Sequence, residues 1–505
     1  MNIAPISSPS PARAALWLAT AVITGAVAMA LEIVSIRLYA PYFGSSIYVW
    51  GSMISVVMLA LSVGYAVGGW VADRTHTDVP FFGIILFSAL YQLAMVLTVR
   101  TFLPSLPRYG ESGGSAVATL IVFAPPMTAL AAVGPFAIRL LARSGHIGST
   151  AGTVYALSTV GGIAGILGAT FFLVPQLGTE ATLRILCATS AAVGVAGLAS
   201  RRPVSVLGIL PFLSLPLLPE ASWSRDTIWV RESAYNLVRV VRSGSRLSLL
   251  LNAGGSMQTV RDEAAGWTGY VFDDYVLGPL LVPARRALVL GMGGGGSITA
   301  TRKVAPEIEV DAVEIDHEVV EAALRFFGLR PDDRRLRIHV ADARPWLTQD
   351  RGIYDLVHLD LYHGGPYIPF YVATVEFFEL VRAHMAEDGL LMMNVLDAGA
   401  NKELLLSIGA TLRWVFPSVA VLQHTKDNYM LLAFARGRSA AWVRDRLRHA
   451  DGPPDVKQFA RRAADAVVEF EAPPRSPILT DDHAPVEEMT RRMVAEQWAR
   501  LVGSP

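Results

Sequence analysis

The 505-residue sequence contains very little cysteine and very little lysine. Its single cysteine, Cys187, lies in an apolar stretch and cannot form an intramolecular disulfide. The sequence therefore indicates neither an oxidising compartment nor a cysteine-based metal site, and we assign no metal ligands. Lysine and arginine together number 43, as do aspartate and glutamate, so the formal net charge is zero. Nothing in this charge balance indicates a polyanionic partner such as nucleic acid.

Charge is especially scarce in the first half of the chain. Residues 14–218 contain nine arginines, five acidic residues and no lysine. Six apolar stretches in this region are each long enough to cross the hydrocarbon core of a membrane as a helix. They lie at 14–38, 47–71, 81–103, 116–141, 150–174 and 180–200. A shorter stretch at 204–219, interrupted by two prolines, either spans or lies re-entrant. The sequence therefore predicts a multi-pass transmembrane domain over 14–219, in contact with the lipid bilayer.

The arginine distribution favours a cytoplasmic N-terminus. Arg13, Arg74, Arg139, Arg143, Arg201 and Arg202 fall on one side, against mainly Arg37, Arg100 and Arg108 on the other. Six spans place the second half of the chain in the cytoplasm, and seven place it outside. We favour the cytoplasm, because nucleoside-type cofactors are made there. Glu32, within the first span, either lines a path for a cationic or amphipathic substrate or forms a structural ion pair.

The periodicity of the sequence changes after residue 221. Residues 222–262 predict a small β-rich segment with turns at 243–244 and 253–255. From 263 to 440, strand-like runs alternate with helical stretches, and 428–437 reads as an antiparallel edge strand. This alternation predicts a Rossmann-like α/β domain with a largely parallel sheet. Residues 441–505 form a C-terminal extension in this division.

A glycine-rich loop follows the first strand of the predicted sheet. Gly291, Gly293 and Gly296 form a G-x-G-x-x-G pattern between a strand and a helix. Glycines allow the backbone to approach a ligand closely, and the helix N-terminus offers unpaired N–H groups. Glu314 ends the second strand, where its carboxylate can accept both ribose hydroxyls. These features suit a dinucleotide site and an adenosylmethionine-type site equally.

Two further carboxylates end the next strands at the same edge of the sheet. Asp342 can accept a hydrogen bond from an adenine amino group, or can cap the helix that begins near Arg344. A nicotinamide site does not require a carboxylate there, so a single adenosine moiety is favoured. Asp360 can deprotonate an attacking ammonium within hydrogen-bond reach, or can cap the backbone of the following loop.

These residues together resemble the polyamine aminopropyltransferases (spermidine synthases), in particular the group in which a multi-pass membrane domain precedes the synthase-like domain. The motifs are "ESAYNLVRVV", "LLLNAGGSMQTV", "VEID", "VADAR", "YDLVHLDLY", "PYIPFYVATVEFF" and "LTDDHAPVE". The resemblance implies aminopropyl transfer from decarboxylated S-adenosylmethionine, used as a co-substrate, to an amine such as putrescine. It further implies that no cofactor is tightly bound and that the chain forms a homodimer.

The resemblance also assigns roles to individual residues. Asp360 would be the catalytic base, Glu314 would bind the ribose, and Asp342 with Ala343 would bind the adenine. The remaining donor contacts would come from Gln258, Gly291, Gly293, Gly294 and Gly296. Around the amine substrate the sequence offers Asp273, Tyr362 and Tyr367.

The sequence departs from this family at three places. Gly294 stands where the soluble synthases carry an aspartate that pairs with the aminopropyl ammonium. Phe272 and Asp273 replace a His-Glu pair, and His363 replaces a second aspartate after the fourth parallel strand. A loop without the aspartate no longer repels the carboxylate of ordinary adenosylmethionine. Two other functions therefore stay open: a methyltransferase acting on a membrane-associated acceptor, and a transporter or sensor that binds a nucleoside or polyamine without turnover.

Overall fold

A computed structural model describes residues 10–44, 46–75, 77–106, 109–142, 146–201, 203–217, 224–252, 256–363 and 365–502. The chain divides into two units, Met1–Ser222 and Trp223–Pro505. Several sequence predictions fall outside the described residues. They are the turn at 253–255, the domain limits at 219 and 222, and three arginines counted for orientation, Arg108, Arg143 and Arg202.

Helices make up the first unit. They are α1 Pro11–Phe43, α2 Ile47–Arg74, α3 Val79–Phe102, α4 Glu111–Val122, α5 Ala124–Ala131, α6 Val133–Leu141, α7 Ile147–Gly168 and α8 Val174–Ala199. A π-helical segment, Ala169–Leu173, joins α7 to α8, and a 3₁₀ helix covers Pro203–Leu217. Five helical stretches are long and apolar enough to cross a membrane: Pro11–Phe43, Ile47–Arg74, Val79–Val99, Ala124–Leu141 and Ile147–Ala199.

The sequence predicts six such spans where the structure has five, and the difference lies in the last stretch. Ile147–Ala199 is 53 residues long. At 1.5 Å per residue this corresponds to about 80 Å, more than twice the roughly 30 Å of a hydrocarbon core. Gly178, with φ 82° and ψ 168°, is not helical and interrupts the stretch between the predicted spans 150–174 and 180–200. The break at Gly178 therefore divides this stretch into two helical parts at the place where the sequence predicts two separate spans.

Close helix packing in this unit depends on glycines of α7. A Cβ atom added at Gly161 would lie 2.1 Å from the carbonyl oxygen of Val22, and one at Gly165 would lie 2.1 Å from that of Ala26. Helices α1 and α7 thus approach backbone to backbone, as small residues allow where lipid gives no hydrophobic drive for association. Gly168 differs, because a Cβ there would meet no atom within 4 Å.

The second unit begins with strands β1 Thr227–Glu232, β2 Leu237–Ser243, β3 Arg246–Leu251 and β4 Ser256–Asp262, followed by a 3₁₀ helix, Val271–Leu277. The strands of the main sheet are β5 Arg286–Leu290, β6 Glu309–Glu314, β7 Leu336–Val340, β8 Tyr354–Leu359, β9 Met385–Leu396, β10 Ser418–Gln423, β11 Asn428–Phe434 and β12 Val467–Glu469. The helices are α9 Gly278–Leu281, α10 Gly296–Arg302, α11 His317–Phe326, α12 Ala343–Gln349, α13 Val375–Ala383, α14 Glu403–Val415, α15 Ala440–Arg448, α16 Pro454–Ala466 and α17 Val486–Val502.

The strands form two sheets. Strands β1 to β4 make an antiparallel meander, and the main sheet has the order β12-β10-β11-β9-β8-β5-β6-β7. Strands β5 to β9 pair in parallel, and β10, β11 and β12 are added antiparallel. The Rossmann-like class is confirmed, with a largely parallel core whose two faces are covered by apolar side chains. Strand order reverses between β5 and β8, which is where α/β sheets bind ligands.

Two predictions about the edges of this sheet need correction. Strand β11 is antiparallel as predicted, but it lies between β9 and β10 rather than at the edge. The stretch predicted as a C-terminal extension contributes β12 to the main sheet, where Val467–Glu469 pairs with β10. Hydrophobic periodicity identifies strands but carries no information about which strands become neighbours.

Candidate active site

The glycine loop and three carboxylates meet at the carboxyl edge of the main sheet. Parallel register aligns the strand ends, since Leu290 of β5 pairs with Val313 of β6 and with Leu359 of β8. Glu314, Asp342 and Asp360 follow from these ends, and all three line one cavity beside the glycines. The loop residues Gly291, Gly293 and Gly296 line the same cavity, together with Gln258, Ala343 and Tyr362.

The backbone of the loop has a conformation that favours glycine. Gly291 has φ 85°, and a Cβ there would lie 2.3 Å from the carbonyl oxygen of Asp360. The turn continues through Gly293 at φ 51° and Gly295 at φ 79°, where α10 begins. These positive φ values cost an L side chain free energy, whereas glycine adopts them readily. The loop therefore brings the ends of β5 and β8 close together.

Glu314 is held by the loop that it faces. Its Oε2 accepts a hydrogen bond from the Gly293 N–H at 3.0 Å, and its Oε1 accepts one from the Asp316 N–H at 3.1 Å. Desolvation in this position raises the pKa of Glu314 to about 7. Each carboxylate oxygen can accept a second hydrogen bond, so that Glu314 could bind two ribose hydroxyls.

Asp342 both caps a helix and lines the cavity. Its Oδ1 accepts a hydrogen bond from the Arg344 N–H at 3.1 Å, which caps the N-terminus of α12. Its Oδ2 accepts one from the Tyr371 hydroxyl at 3.1 Å. Asp342 therefore caps the helix, as one of the two predicted alternatives has it, and also lines the cavity. Ala343 lines the cavity as well and is buried.

Asp360 has a free carboxylate oxygen. Its Oδ1 accepts a hydrogen bond from Asn394 Nδ2 at 2.9 Å, and no residue in the described ranges donates to its Oδ2. Burial raises the pKa of Asp360 to about 7. A carboxylate with a pKa near neutrality is suited to accepting a proton at physiological pH.

Of the residues expected around the amine, one lines the cavity and two do not. Tyr362 lines the cavity, and its hydroxyl donates to the Asn394 carbonyl at 3.1 Å and accepts from the Leu396 N–H at 2.8 Å. Asp273 lies off the cavity, because its buried carboxylate accepts hydrogen bonds from the Thr268 and Gly269 N–H groups.

Tyr367 also does not line the cavity. Its hydroxyl is buried and has no hydrogen-bond partner among the residues that the structure covers. The placement of Asp273 and Tyr367 at the cavity wall is therefore corrected. Gly294, predicted as a donor contact, also lies outside the lining, against Thr259. The lining carboxylates are Glu314, Asp342 and Asp360.

Several lining residues were not singled out from the sequence. Tyr235 and Asn236 come from the small sheet, and Asn236 Nδ2 donates to Asp316 Oδ2 at 3.0 Å. Thr259 lies against the glycine loop, where its Oγ1 accepts the Gly294 N–H at 2.8 Å. Asn394 is not a lining residue but donates a hydrogen bond to Asp360. It could have been singled out from the sequence, because it is a lone polar residue within the apolar run of β9.

His363 lies at the cavity in place of the family's second aspartate. Desolvation lowers the pKa of His363, which favours the neutral imidazole. A neutral imidazole can accept or donate a proton but adds no negative charge for a cationic amine. This part of the cavity is therefore less acidic than the family pattern implies.

One group of possible metal ligands lies elsewhere. His317, Glu318 and Glu321 of α11 bring one ligand atom each within 4.8 Å of one another. None of them lines the cavity. Histidine and acidic residues on an exposed helix turn are common without a metal, so we assign no ion to this group.

A glycine loop after the first parallel strand, with carboxylates at the ends of the next three, is the arrangement of a Rossmann-like α/β domain. Comparison with known families narrows this class. Residues 278–432, within the second unit of the chain, match the family model of the spermine/spermidine synthase domain.

The individual relatives are matched over only part of their own length. The chain is 27% identical over 289 residues to a probable polyamine aminopropyl transferase of Bifidobacterium longum, covering 54% of this chain and 64% of that protein. It is 30% identical over 144 residues to the mouse eEF1A lysine and N-terminal methyltransferase, covering 26% and 20% respectively. A probable spermidine synthase structure from Corynebacterium glutamicum aligns with TM-score 0.38 and 21% identity, covering 49% of this chain and 95% of that one. The chain thus spans less than two thirds of these two curated relatives.

Proposed function

We propose that the protein is a membrane-bound aminopropyltransferase that transfers an aminopropyl group from decarboxylated S-adenosylmethionine to an amine such as putrescine. One observation carries this proposal: Glu314, Asp342 and Asp360 line a single cavity beside the glycine loop. The match of residues 278–432 to the spermine/spermidine synthase domain supports the same class of transferase.

The mechanism follows from the roles of the three carboxylates. Asp342 would accept the adenine amino group and Glu314 the ribose hydroxyls, so that the sulfonium is directed toward Asp360. Asp360 would take a proton from the acceptor ammonium and leave a neutral amine. The amine nitrogen then forms a bond to the aminopropyl carbon as the carbon–sulfur bond breaks, and methylthioadenosine leaves. The protein mainly aligns the two reactants, because an in-line displacement is sensitive to their geometry.

We further propose that the first unit anchors the protein in the cell membrane as a multi-pass bundle, with the catalytic unit in the cytoplasm. Five helical stretches of sufficient length and apolarity support the anchoring. The break at Gly178 allows the last, 53-residue stretch to cross twice, so that the bundle makes six crossings. With the cytoplasmic N-terminus that the arginine distribution favours, six crossings place the catalytic unit in the cytoplasm, where the donor is made. The family resemblance adds homodimer formation to the proposal.

A second candidate is methyl transfer from ordinary S-adenosylmethionine to a membrane-associated acceptor. The specific observation in its favour is Gly294, which leaves the loop without a carboxylate to bind an aminopropyl ammonium or to repel a donor carboxylate. The partial similarity to the eEF1A methyltransferase is compatible with this chemistry.

Calorimetry on the detergent-solubilised protein distinguishes the candidates. We expect decarboxylated adenosylmethionine to bind more tightly than adenosylmethionine, and mass analysis after adding putrescine to show an aminopropylated product with methylthioadenosine. Tighter binding of the carboxylated donor, with a methylated acceptor, would replace the proposal by the second candidate. Binding of neither nucleoside would contradict both and leave a non-catalytic transporter or sensor.

A further inference from the structure

A carboxylate near the C-terminus joins several elements around the cavity. Asp481 belongs to the motif "LTDDHAPVE", to which the proposed reaction assigns no role. Its Oδ1 accepts hydrogen bonds from Arg344 Nη1 at 2.7 Å and from Thr374 Oγ1 at 2.7 Å. Its Oδ2 accepts a second bond from the Arg344 guanidinium. Asp481 thereby connects the start of α12, which carries Arg344, with the N-cap of α13, which is Thr374.

Arg344 extends this contact to the cavity wall. Its Nη1 also donates to the carbonyl oxygen of Tyr371 at 2.7 Å. The Tyr371 hydroxyl in turn donates to Asp342 Oδ2 at 3.1 Å, and the Arg344 N–H donates to Asp342 Oδ1. A continuous set of hydrogen bonds therefore runs from Asp481 through Arg344 and Tyr371 to Asp342. Both oxygens of Asp342 are fixed by it.

The segment that carries Asp481 is itself firmly held. Leu479 is fully buried, its N–H donates to Thr411 Oγ1 at 3.0 Å, and its carbonyl accepts the Val375 N–H at 2.9 Å. The Asp481 N–H donates to Glu376 Oε2 at 3.0 Å. The segment is thus attached to α13 and α14 at Leu479 and at Asp481 itself, and Asp481 meets Arg344 from a fixed position.

The ion pair is charged at neutral pH. The Arg344 guanidinium lowers the pKa of Asp481, and Asp481 raises the pKa of Arg344. Arginine bound to a carboxylate through two N–H groups has a defined plane, so the pair fixes direction as well as distance. Without Asp481, the Arg344 side chain would keep only its bond to the Tyr371 carbonyl among these contacts.

We propose that Asp481 is a positioning residue for the donor nucleoside, acting through Arg344 on Tyr371 and Asp342. It touches no substrate. Its effect is to hold the carboxylate that receives the adenine amino group, so it acts on donor binding rather than on the amine or the chemical step. This inference rests on the proposed function in taking an adenosyl compound as the ligand.

The variant Asp481→Asn tests the inference with little change of shape. The amide oxygen can still accept from Thr374, whereas the amide nitrogen opposes the second N–H of Arg344. We expect the Kd for methylthioadenosine, measured by calorimetry on the full-length solubilised protein, to rise about two- to fivefold, because solvent screens the partly exposed ion pair. Asp482→Asn is the matched control, because both aspartates are exposed but, among the described contacts, the Arg344 guanidinium binds only Asp481; the Kd of this variant should equal that of the wild type.

A double-variant comparison separates positioning from a general loss of folding. If Asp481 acts through Arg344, Asp481→Asn should weaken binding no further in an Arg344→Ala background. The KM for the donor should rise, whereas kcat and the KM for the amine should stay at wild-type values. Additive losses, or equal losses for donor and amine, would overturn the inference. Wild-type protein that binds no nucleoside would instead overturn the proposed function itself.

Discussion

At the scale of single residues, two carboxylates of the cavity differ in their hydrogen bonds and therefore suit different chemical roles. Asp342 is fixed at both oxygens, by the Arg344 N–H and the Tyr371 hydroxyl. Asp360 is fixed at one oxygen only, by Asn394, and burial raises its pKa to about 7. The first arrangement suits a static hydrogen-bond acceptor, and the second suits a group that must take up a proton.

The activity should therefore depend on the ionisation of Asp360. A base works only when ionised, so we expect the wild-type kcat to rise with pH through about 7 and then level off. The rate is measured at saturating donor, because the pKa of Glu314 is also about 7 and its ionisation would affect donor binding. Asp360→Asn should lower kcat by about 100- to 10,000-fold and abolish this rise, with donor affinity maintained. Steady-state rates over a pH series, combined with calorimetric Kd values, measure both effects. Full activity in the variant would remove the base from the mechanism.

How well the site can be predicted from sequence also varies by residue. Glu314, Asp342 and Asp360 were found because strand ends of a parallel sheet share one edge, so position along the chain suffices. Asp273 was misplaced because the 3₁₀ helix Val271–Leu277 directs its carboxylate to the backbone of residues 268 and 269. Asn394 was missed because its contact with Asp360 depends on β9 lying beside β8, which spacing does not reveal.

At the scale of structural elements, the glycine loop is packed directly against strand β4. A Cβ atom at Gly294 would lie 2.9 Å from both Cβ and Cγ2 of Thr259. The Thr259 hydroxyl also accepts the Gly294 N–H. Thr259 therefore occupies the space that the aspartate side chain of the soluble synthases would need at this position.

This packing predicts that the effect of a substitution at Gly294 depends on the residue at position 259. Gly294→Asp alone should abolish methylthioadenosine binding, because the new side chain overlaps Thr259. Combined with Thr259→Gly, the aspartate should be tolerated, and affinity for decarboxylated adenosylmethionine should rise relative to adenosylmethionine. Calorimetry with both donors on the single and double variants measures this. Normal binding by Gly294→Asp alone would show that the loop has more space than the contacts indicate.

The helical unit offers a test of packing at the same scale. Gly161→Ala places a methyl group against the backbone of α1 and should destabilise the unit by about 1–3 kcal/mol, the usual cost of overpacking. Gly168→Ala is the matched control, because a Cβ there meets open space. Thermal unfolding of both variants in detergent compares them. An equal effect of the two substitutions would contradict the close approach of α1 and α7.

Sequence patterns predicted the existence of these elements better than their limits and neighbours. The apolar stretches identified the helices because lipid-crossing length is a matter of composition. The predicted separation of the last two spans agrees with the break at Gly178, and a π-helical segment continues the first of the two helices up to that break. The position of β11 inside the sheet depends on pairing between distant segments, which local periodicity does not encode.

At the scale of the whole molecule, two units of different composition share one chain. The first contains helices with the length and apolarity of membrane spans, and the second contains the residues that match the spermine/spermidine synthase domain. Scarcity of charge before residue 218 and its abundance afterwards made this division predictable from sequence. The side of the membrane is decided by the number of crossings, which composition alone does not fix.

The single cysteine makes the orientation measurable. Cys187 is buried, so it should react slowly with a membrane-impermeant thiol reagent. We expect Arg334→Cys, at an exposed position of the second unit, to be labelled in lysed cells but not in intact cells, because the unit is proposed to be cytoplasmic. The parent protein serves as the background control. Labelling of the variant in intact cells would place the unit outside and require an odd number of crossings.

The central claim is that the three carboxylates bind one adenosyl sulfur compound, and a structure of the solubilised protein with methylthioadenosine tests it most directly. The account predicts ribose hydroxyls within hydrogen-bond distance of Glu314, the adenine amino group at Asp342, and the sulfur on the side of Asp360. A nucleoside bound away from the glycine loop, or the three carboxylates turned toward separate surroundings, would contradict it.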